Sequence, residues 1–187
     1  MRMHIPEGQP AEGQLAEGQL AERRPDPRGE AMVAELRWVH DMIRRDLALI
    51  QQMAADTAAG EPAGTIRRGI RALASASPIW QLKAGCLRHC RFVHAHHSHE
   101  SYLLFPALRQ ANPALNPVVD KLEADHQHVS TLLGDIEVAA GDLSEGGTRD
   151  RLIAALGALS TGLLAHLAFE EEHIASTLRT FTRWPGW

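Results

Sequence analysis

Residues 33–50 read VAELRWVHDMIRRDLALI, and their apolar residues return every three or four positions. An α-helix has 3.6 residues per turn, so residues with this spacing lie on one face. The stretch therefore predicts an amphipathic helix whose buried stripe includes a histidine where an apolar residue is expected. The members of this stripe are Val33, Leu36, His40, Ile43, Leu47 and Ile50.

Three later stretches show the same spacing and predict three more helices. The second opens at Pro78, a residue favoured in the first helical turn, and runs to about Gln110, with Pro106 bending its end. Its stripe consists of Cys86, His89, Val93, His96, Glu100, Leu103 and Ala107. The third stripe is Val119, Leu122, His126, Val129, Leu133 and Ile136, and the fourth is Leu152, Leu156, Leu159, Leu163, His166, Glu170, Ile174 and Leu178.

Short segments rich in Gly, Pro and Asn separate these stretches, and a further short helical piece is expected near residues 65–75. Four amphipathic helices with short connections are typical of an all-α, antiparallel (up-down-up-down) four-helix bundle. We expect this bundle to occupy residues 30–181. Residues 182–187 then form a tail whose WPGW sequence caps the bundle or contacts a partner.

The first 29 residues differ from the rest in composition. They contain three copies of a five-residue unit that starts Glu-Gly-Gln, at Glu7, Glu12 and Glu17, followed by a stretch rich in Pro and Arg. A segment with so much Gly and so little apolar surface cannot offset the entropy lost on ordering. The composition therefore predicts a disordered tail over residues 1–29.

The overall composition excludes several classes of function. The formal net charge is −4, and the basic residues are scattered, so no surface suited to nucleic acid is indicated. No run of 18 apolar residues and no signal peptide is visible, which argues against a membrane protein or an exported one. The only cysteines, Cys86 and Cys90, are expected to be reduced, as in a cytoplasmic protein.

Each of the four apolar stripes contains at least one histidine, and two of them also contain a glutamate one turn after a histidine. Isolated polar and charged groups are costly in an apolar interior unless they are paired or bind a metal. The stripes therefore predict a metal site whose ligands are His40, His96, Glu100, His126, His166 and Glu170. Imidazole and carboxylate ligands suit two bridged first-row ions, and two irons are favoured because structural zinc prefers cysteine-rich sites; manganese, zinc or a mixed pair are the alternatives.

Four short motifs in this order resemble the bacterial hemerythrin-like (HHE) family over about residues 33–180. The motifs are HDMIRRDL at 40–47, HHSHE at 96–100 followed by LFPAL at 104–108, EADH at 123–126, and HLAFEE at 166–171. The resemblance implies that His40, His96, His126 and His166 are terminal ligands of two oxo- or hydroxo-bridged irons. It also implies that Glu100 and a carboxylate of the fourth helix bridge the two irons.

The chain departs from the oxygen-carrying members of that family at two places. Those proteins have a second histidine one turn after the third-helix ligand, where this chain has Ser130. The difference argues against simple reversible oxygen carriage and leaves a coordination position open, as catalytic metal sites do. The bridging carboxylate of the fourth helix is Glu171 by the spacing of oxygen carriers, and Glu170 by that of many hemerythrin-like domains and by helical phase.

The neighbouring histidines and cysteines allow more than one interpretation. His97 is three residues before Glu100 and is either a seventh ligand or a group that orients the ligands. His94 and His99 are expected on solvent-facing flanks, whereas His89 lines an access channel or packs in the core. Cys86 and Cys90 are interpreted as small buried apolar residues, with a redox pair as the alternative.

These features favour a non-haem di-iron protein that binds or activates dioxygen, peroxide or nitric oxide. One alternative is a di-iron oxidase or peroxide-decomposing enzyme with an unidentified substrate. The other is an oxygen- or iron-responsive sensor without turnover. No nucleotide-binding loop or nucleophile triad competes for the role, and the sequence does not identify a protein partner.

Overall fold

A computed structural model describes residues 26–58, 78–142 and 149–185 of the chain, and these residues contain helices and no β-strand. The all-helical prediction is therefore confirmed for the described part of the chain. The predicted tail up to residue 25 and the helical piece near 65–75 lie outside it. The helical elements are α1 (Pro27–Ala58), α2 (Pro78–His99), a π-helical turn (Glu100–Leu104), α3 (Phe105–Ala111), a 3₁₀ turn (Pro113–Leu115), α4 (Asn116–Gly141) and α5 (Arg149–Leu178).

Helix α1 begins three residues before the expected boundary at Glu30. The Asp26 carboxylate accepts a hydrogen bond from the backbone N–H of Arg28 at 2.8 Å, which satisfies one of the free N–H groups of the first turn. Pro27 follows directly, at a position where its missing N–H costs nothing. Asp26 and Pro27 together thus mark the start of α1. These residues were predicted to belong to the disordered tail because the segment is rich in Pro and Arg.

Helix α1 packs against α2 and α5, and α4 packs against the same two helices. The start of α1 lies beside the end of α5, where Arg179 Nε is 2.8 Å from Glu30 Oε1. Gly29 makes this approach possible, because a Cβ atom there would come within 2.1 Å of the Arg179 carbonyl oxygen. Farther along α1, the side-chain amide of Gln51 lies 3.5 Å from the Leu156 carbonyl oxygen of α5.

The apolar side chains form two separate clusters with a layer of histidines and glutamates between them. The lower core contains Ile43, Leu47, Ile50, Met53, Ala54, Leu82, Cys86, Cys90, Val93, Val129, Leu133, Ile136, Ala139, Ala140, Leu152, Leu156, Leu159, Leu163 and Leu167. The upper core contains Met32, Val33, Leu36, Leu104, Phe105, Leu108, Val119, Leu122, Ile174, Ala175 and Leu178. Each buried Leu or Ile contributes about 1.5–3 kcal/mol, so the two cores can support a costly polar layer between them.

The π-helical turn changes which residues of the second predicted helix are buried. Its backbone closes with the N–H of Phe105 donating to the carbonyl of Glu100, one residue farther than in an α-helix. The buried positions therefore shift by one: Leu104 and Leu108 are 1% and 0% exposed, whereas Leu103 is 36% exposed. The predicted stripe through Leu103 and Ala107 was wrong at these two positions, because it assumed an uninterrupted α-helical phase.

Helix α5 is long and apolar enough to cross a membrane by length and composition alone, although it contains no uninterrupted run of 18 apolar residues. A central helix of a bundle meets the same criterion. In this structure α5 packs against α1 and α4 and contributes residues to both apolar cores. It also places two polar residues of the central layer, His166 and Glu170, in the interior.

Candidate metal centre

The polar layer contains two groups of side chains that could each hold a metal ion. Within each group one ligand atom from every residue lies within 4.8 Å of the others. We call the first group site A; it consists of His40, His96, Glu100 and Glu170. We call the second group site B; it consists of His97, Glu100, His126 and His166.

All six residues predicted as ligands therefore come together, and His97 joins them. Glu100 belongs to both groups, which makes it the residue that joins the two halves of the layer. His97 was predicted either as a ligand or as an orienting group, and the structure places its imidazole in site B together with Glu100, His126 and His166. Glu171, the alternative to Glu170, is in neither group.

The ligand atoms of site A converge on one point. The Nε2 atoms of His40 and His96 are 3.1 Å apart. His96 Nε2 is also 3.1 Å from Glu100 Oε1, and His40 Nε2 is 3.4 Å from Glu170 Oε2. Two imidazole nitrogens and two carboxylate oxygens at such separations form a donor set suited to a first-row transition ion.

Site B has a similar donor set with one more imidazole. His126 Nε2 is 3.4 Å from Glu100 Oε2, so the two oxygens of Glu100 face the two different sites. The rings of His97 and His126 are stacked with their centroids 4.0 Å apart, and the His166 ring stands edge-on to both. Glu170 Oε2 lies 3.7 Å from His166 Nε2, so this carboxylate also reaches both halves of the layer.

Helical geometry explains how two consecutive histidines contribute to different sites. Adjacent residues on an α-helix point about 100° apart, so His96 and His97 face different neighbouring helices. Glu100 is four residues after His96 and three after His97, and side chains with either spacing are neighbours. The carboxylate therefore lies between the two imidazoles, at the residue where the π-helical turn begins.

Each half of the layer has a side chain that holds a histidine by its second nitrogen. The carboxylate of Glu171 lies 2.8 Å from His40 Nδ1 and accepts a hydrogen bond from Arg44 at 2.8 Å. In site B, the hydroxyl of Ser101 is 2.8 Å from His126 Nδ1. When Nδ1 of an imidazole donates a hydrogen bond, its Nε2 carries a lone pair, which is the form that binds metal.

His166 has a looser outer contact. Its Nδ1 is 3.7 Å from the carboxylate of Asp125, which is too long for a hydrogen bond. The closer contacts of His40 and His126 thus involve Glu171 and Ser101, two residues not assigned this role from the sequence. The spacing of Glu171, one residue beyond Glu170, gives no indication that it faces His40 on another helix.

The protein alone does not satisfy these groups. Several buried polar atoms of the layer have no hydrogen-bond partner among the described residues. They are the two carboxylate oxygens of Glu100, the two of Glu170, and the Nε2 atoms of His97, His126 and His166. Each unsatisfied buried polar group costs about 1–3 kcal/mol, whereas a whole domain is stable by about 5–15 kcal/mol. So many in one layer require compensation, and bound cations would provide it. The residues present therefore fit a metal site.

Burial also keeps the imidazoles neutral and available. It lowers the pKa of His126 to about 3 and that of His166 to about 4, and it lowers the pKa of His40 against the opposing effect of Glu171. Burial raises the pKa of Glu170 to about 8, and burial followed by the charge of Glu170 raises the pKa of Glu100. Both carboxyl groups thus hold protons more tightly in the absence of a cation, and metal binding must release them.

The family model of the hemerythrin HHE cation-binding domain matches residues 31–178, a range that contains every residue of sites A and B. The chain belongs to the hemerythrin HHE family. The resemblance expected from the four motifs is therefore confirmed, together with cation binding as the general property of the domain. Neither the curated proteins nor the solved structures compared with the chain include a match.

Two cavities reach the metal-binding layer of this HHE domain from different sides. The first, which we call the apolar pocket, has a volume of about 220 Å³ and touches site A; it is lined by Glu35, Leu36, Val39, His96, His99, Glu100, Leu104 and Trp184. The second, which we call the polar pocket, has a volume of about 480 Å³ and touches site B; it is lined by His94, His97, Ser98, Ser101, Tyr102, Glu123, His126, Gln127 and Ser130. Ser130, the position at which oxygen carriers have a histidine, thus faces a cavity.

The remaining histidines and cysteines of the HHE domain lie outside both sites. His99 is exposed and His94 is half-buried, whereas His89 is buried, and neither of its ring nitrogens has a hydrogen-bond partner among the described residues. Cys86 and Cys90 are buried free thiols, and burial raises the pKa of each to about 12. A thiol that resists ionisation is a poor nucleophile and metal ligand, which agrees with the interpretation of both as apolar packing residues.

Proposed function

We propose that this HHE domain holds two iron ions, one in site A and one in site B, and that it binds or activates dioxygen, peroxide or nitric oxide. The observation that carries the proposal is the sharing of Glu100 between two ligand groups, with one carboxylate oxygen facing each group. Two ferrous ions held there would supply the two electrons that reduce dioxygen to the level of peroxide, or peroxide to water.

The protein's own contribution is to hold, orient and shield the centre. Glu100 and Glu170 supply negative charge to both halves, and the histidines supply neutral nitrogen ligands. Glu171 and Ser101 fix which nitrogen of His40 and His126 faces the ions. The lower and upper cores close the layer from both ends of the bundle, which keeps bulk water away and strengthens electrostatic interactions in the layer.

A catalytic version of this function is favoured by the polar pocket. Pockets that bind organic molecules usually have volumes of about 300–1,000 Å³, and the cavity of about 480 Å³ beside site B falls in that range. Its walls present hydroxyl, amide and imidazole groups within reach of His97 and His126. An oxidase acting on a small polar substrate would use this side, and a peroxide-decomposing enzyme would need only the smaller apolar pocket.

Metal analysis with optical spectroscopy tests the proposal. Protein produced with ample iron should contain about two irons per chain and show the near-ultraviolet bands of an oxo-bridged ferric pair after oxidation. Manganese or zinc bound in preference when all three metals are supplied would contradict the assignment of iron. Catalytic loss of hydrogen peroxide, measured with a metal-free control, would select the enzymatic version, and stoichiometric binding without turnover would exclude it.

Two further expectations belong to the same proposal. We infer up-down-up-down connectivity, because α1 and α5 run antiparallel. The start of α1 lies beside Arg179, just after the end of α5, and the later part of α1 lies beside Leu156 in the first half of α5. We also propose a reducing, cytoplasmic setting, supported by the two free thiols Cys86 and Cys90.

A further inference from the structure

The polar pocket leads from the surface to two imidazoles that lack a partner. His97 and His126 of site B line it, and they are 6% and 7% exposed. Their Nε2 atoms have no hydrogen-bond partner among the described residues. Four other lining residues are exposed and keep the pocket open to solvent: Ser98, Tyr102, Gln127 and Ser130. The pocket therefore connects bulk water with two free nitrogen ligands.

Two further metal-binding groups line the pocket nearer to the surface. His94 lies three residues before His97 on α2, and Glu123 lies three residues before His126 on α4. Residues with this spacing are neighbours on a helix, so each helix supplies an outer group and an inner one. His94 and Glu123 are half-buried, whereas His97 and His126 are buried. The pocket thus contains two successive pairs of ligands between solvent and site B.

The charge at the outer end of the pocket attracts cations. Glu123 is half-exposed there, and the lining contains no Lys or Arg among the described residues. Arg109 lies 3.0 Å from the Glu123 carboxylate and also pairs with Asp120 at 2.7 Å, so one positive and two negative groups give a net charge of −1. A negative cleft raises the association rate of cations, and salt weakens this effect.

The apolar pocket is a poorer route for a cation. A divalent transition ion in water carries about six water molecules, which together occupy roughly 180 Å³ in the liquid. The apolar pocket has a volume of about 220 Å³, and half of its lining is apolar: Leu36, Val39, Leu104 and Trp184. An ion passing these side chains would lose water that they cannot replace, which is costly. The polar pocket, at about 480 Å³, holds the hydrated ion, and its hydroxyl and imidazole groups can replace the waters in turn.

We propose that a hydrated divalent cation enters the metal-binding layer through the polar pocket, that His94 and Glu123 bind it first, and that it fills site B before site A. Glu100 belongs to both sites and lies between the first ion and site A. This inference rests on the two-ion site of the proposed function, and it does not depend on the choice of iron or on the reaction of the centre.

The first experiment follows the uptake of cobalt(II) by metal-free protein in an anaerobic stopped-flow instrument, using the visible absorption of the bound ion. Ser130→Trp places an indole in the polar pocket and should slow uptake about tenfold, a change within the range seen among variants of one binding site. The final content should stay at about two ions per chain. Thr131→Trp, at the adjacent exposed position outside the lining, is the matched control and should load like the unmodified protein. Trp184→Ala, which opens the apolar pocket, should leave the rate unchanged.

The outer pair is tested with Glu123→Gln and His94→Ala. Glu123→Gln retains an oxygen that accepts from Arg109 but removes one unit charge, so it should slow uptake about fivefold at low salt and less at high salt. His94→Ala removes an uncharged ligand and should slow uptake at either salt concentration. The controls are Glu137→Gln, at an exposed position of α4, and His99→Ala, which lines the other pocket. Uptake as fast in the two test variants as in these controls would overturn the role of the outer pair.

The order of filling is tested with His96→Ala and His97→Ala, which remove a ligand from site A and site B respectively. The remaining ion should enter His96→Ala as fast as the first ion enters the unmodified protein, and it should enter His97→Ala about tenfold more slowly. Equal rates in the two variants would overturn this order.

The final metal content separates the failure of this inference from that of the proposed function. Two bound ions with uptake as fast in Ser130→Trp as in Thr131→Trp, or faster uptake in Trp184→Ala, would overturn the route and leave the two-ion site intact. Absence of bound cobalt at equilibrium in the unmodified protein would overturn both.

Discussion

Sites A and B share Glu100 but differ in almost everything around it. Site A takes its histidines from α1 and α2, has Glu171 and Arg44 behind His40, and adjoins a small apolar pocket. Site B takes its histidines from α2, α4 and α5, has the neutral Ser101 behind His126 and the more distant Asp125 carboxylate 3.7 Å from His166, and adjoins a larger polar pocket. The bundle therefore places two similar donor sets in two unlike environments.

This difference suggests a division of tasks within one centre. A carboxylate behind a metal-bound imidazole increases its basicity, whereas a hydroxyl does so less. The apolar approach suits a small neutral ligand, and the polar approach suits water, protons or a polar organic molecule. Variants that affect one half and spare the other can test whether the two sites act separately.

The largest effect is expected from Glu100→Ala, because Glu100 is the one residue present in both groups. The substitution should reduce the metal content from about two ions per chain to well below one, as measured by elemental analysis. Glu172→Ala, at an exposed position of α5 two residues after Glu170, is the control and should retain both ions. A Glu100 variant that still binds two ions would show that the sites do not depend on a shared carboxylate.

Removal of the metal should have the next largest effect, on the stability of the fold. A ligand present at a thousandfold excess over its dissociation constant stabilises the native state by about 4 kcal/mol. Thermal unfolding followed by circular dichroism should therefore show a clearly lower midpoint for metal-free protein, by about 10 °C or more. Equal midpoints with and without iron would mean that the polar layer is satisfied without a cation.

The comparison between the sites is sharpened by His96→Ala and His97→Ala. Each should reduce the content from about two ions to about one, because each imidazole belongs to a single group. The remaining ion should lie in site B in His96→Ala and in site A in His97→Ala. Site B has three histidines and site A has two, so X-ray absorption spectroscopy can distinguish the two variants. His128→Ala, an exposed histidine of α4, should bind metal like the unmodified protein. Full retention of metal by His97→Ala would exclude it as a ligand.

A smaller and one-sided effect is expected from Glu171→Gln. The amide cannot supply the negative charge that holds His40 Nδ1 and pairs with Arg44, so metal affinity in site A should fall about 10- to 100-fold. Competition with a chelator should show that one ion is bound less tightly and that the affinity for the other is unchanged. Glu172→Gln serves as the conservative control. If the affinity for both ions falls equally, metal binding in one site depends on the other site more strongly than their separate surroundings indicate.

The sequence predicted the parts of the fold and site that depend on helical spacing. The positions of His40, His126 and His166 followed from apolar stripes, because a buried residue every three or four positions defines the inner face of a straight helix. The tail sequence was predicted either to cap the bundle or to contact a partner, and Trp184 packs against the upper core. Trp187 lies outside the described residues.

The sequence did not predict the features that arise where a helix departs from regular geometry or meets another. Because of the π-helical turn at Glu100, Leu104 is buried in the core instead of Leu103. The spacing of apolar residues in the sequence does not indicate this turn. Pro106, which was expected to bend the helix, lies two residues after that turn. His97 was undecided because only the position of α4 shows that its ring stacks on His126.

The most direct test of two sites joined by Glu100 is anomalous X-ray diffraction from crystals of the iron-loaded chain at the iron absorption edge. Two anomalous peaks should appear, one among His40, His96 and Glu170 and the other among His97, His126 and His166, with Glu100 between them. A single peak, or peaks outside this layer, would contradict the account.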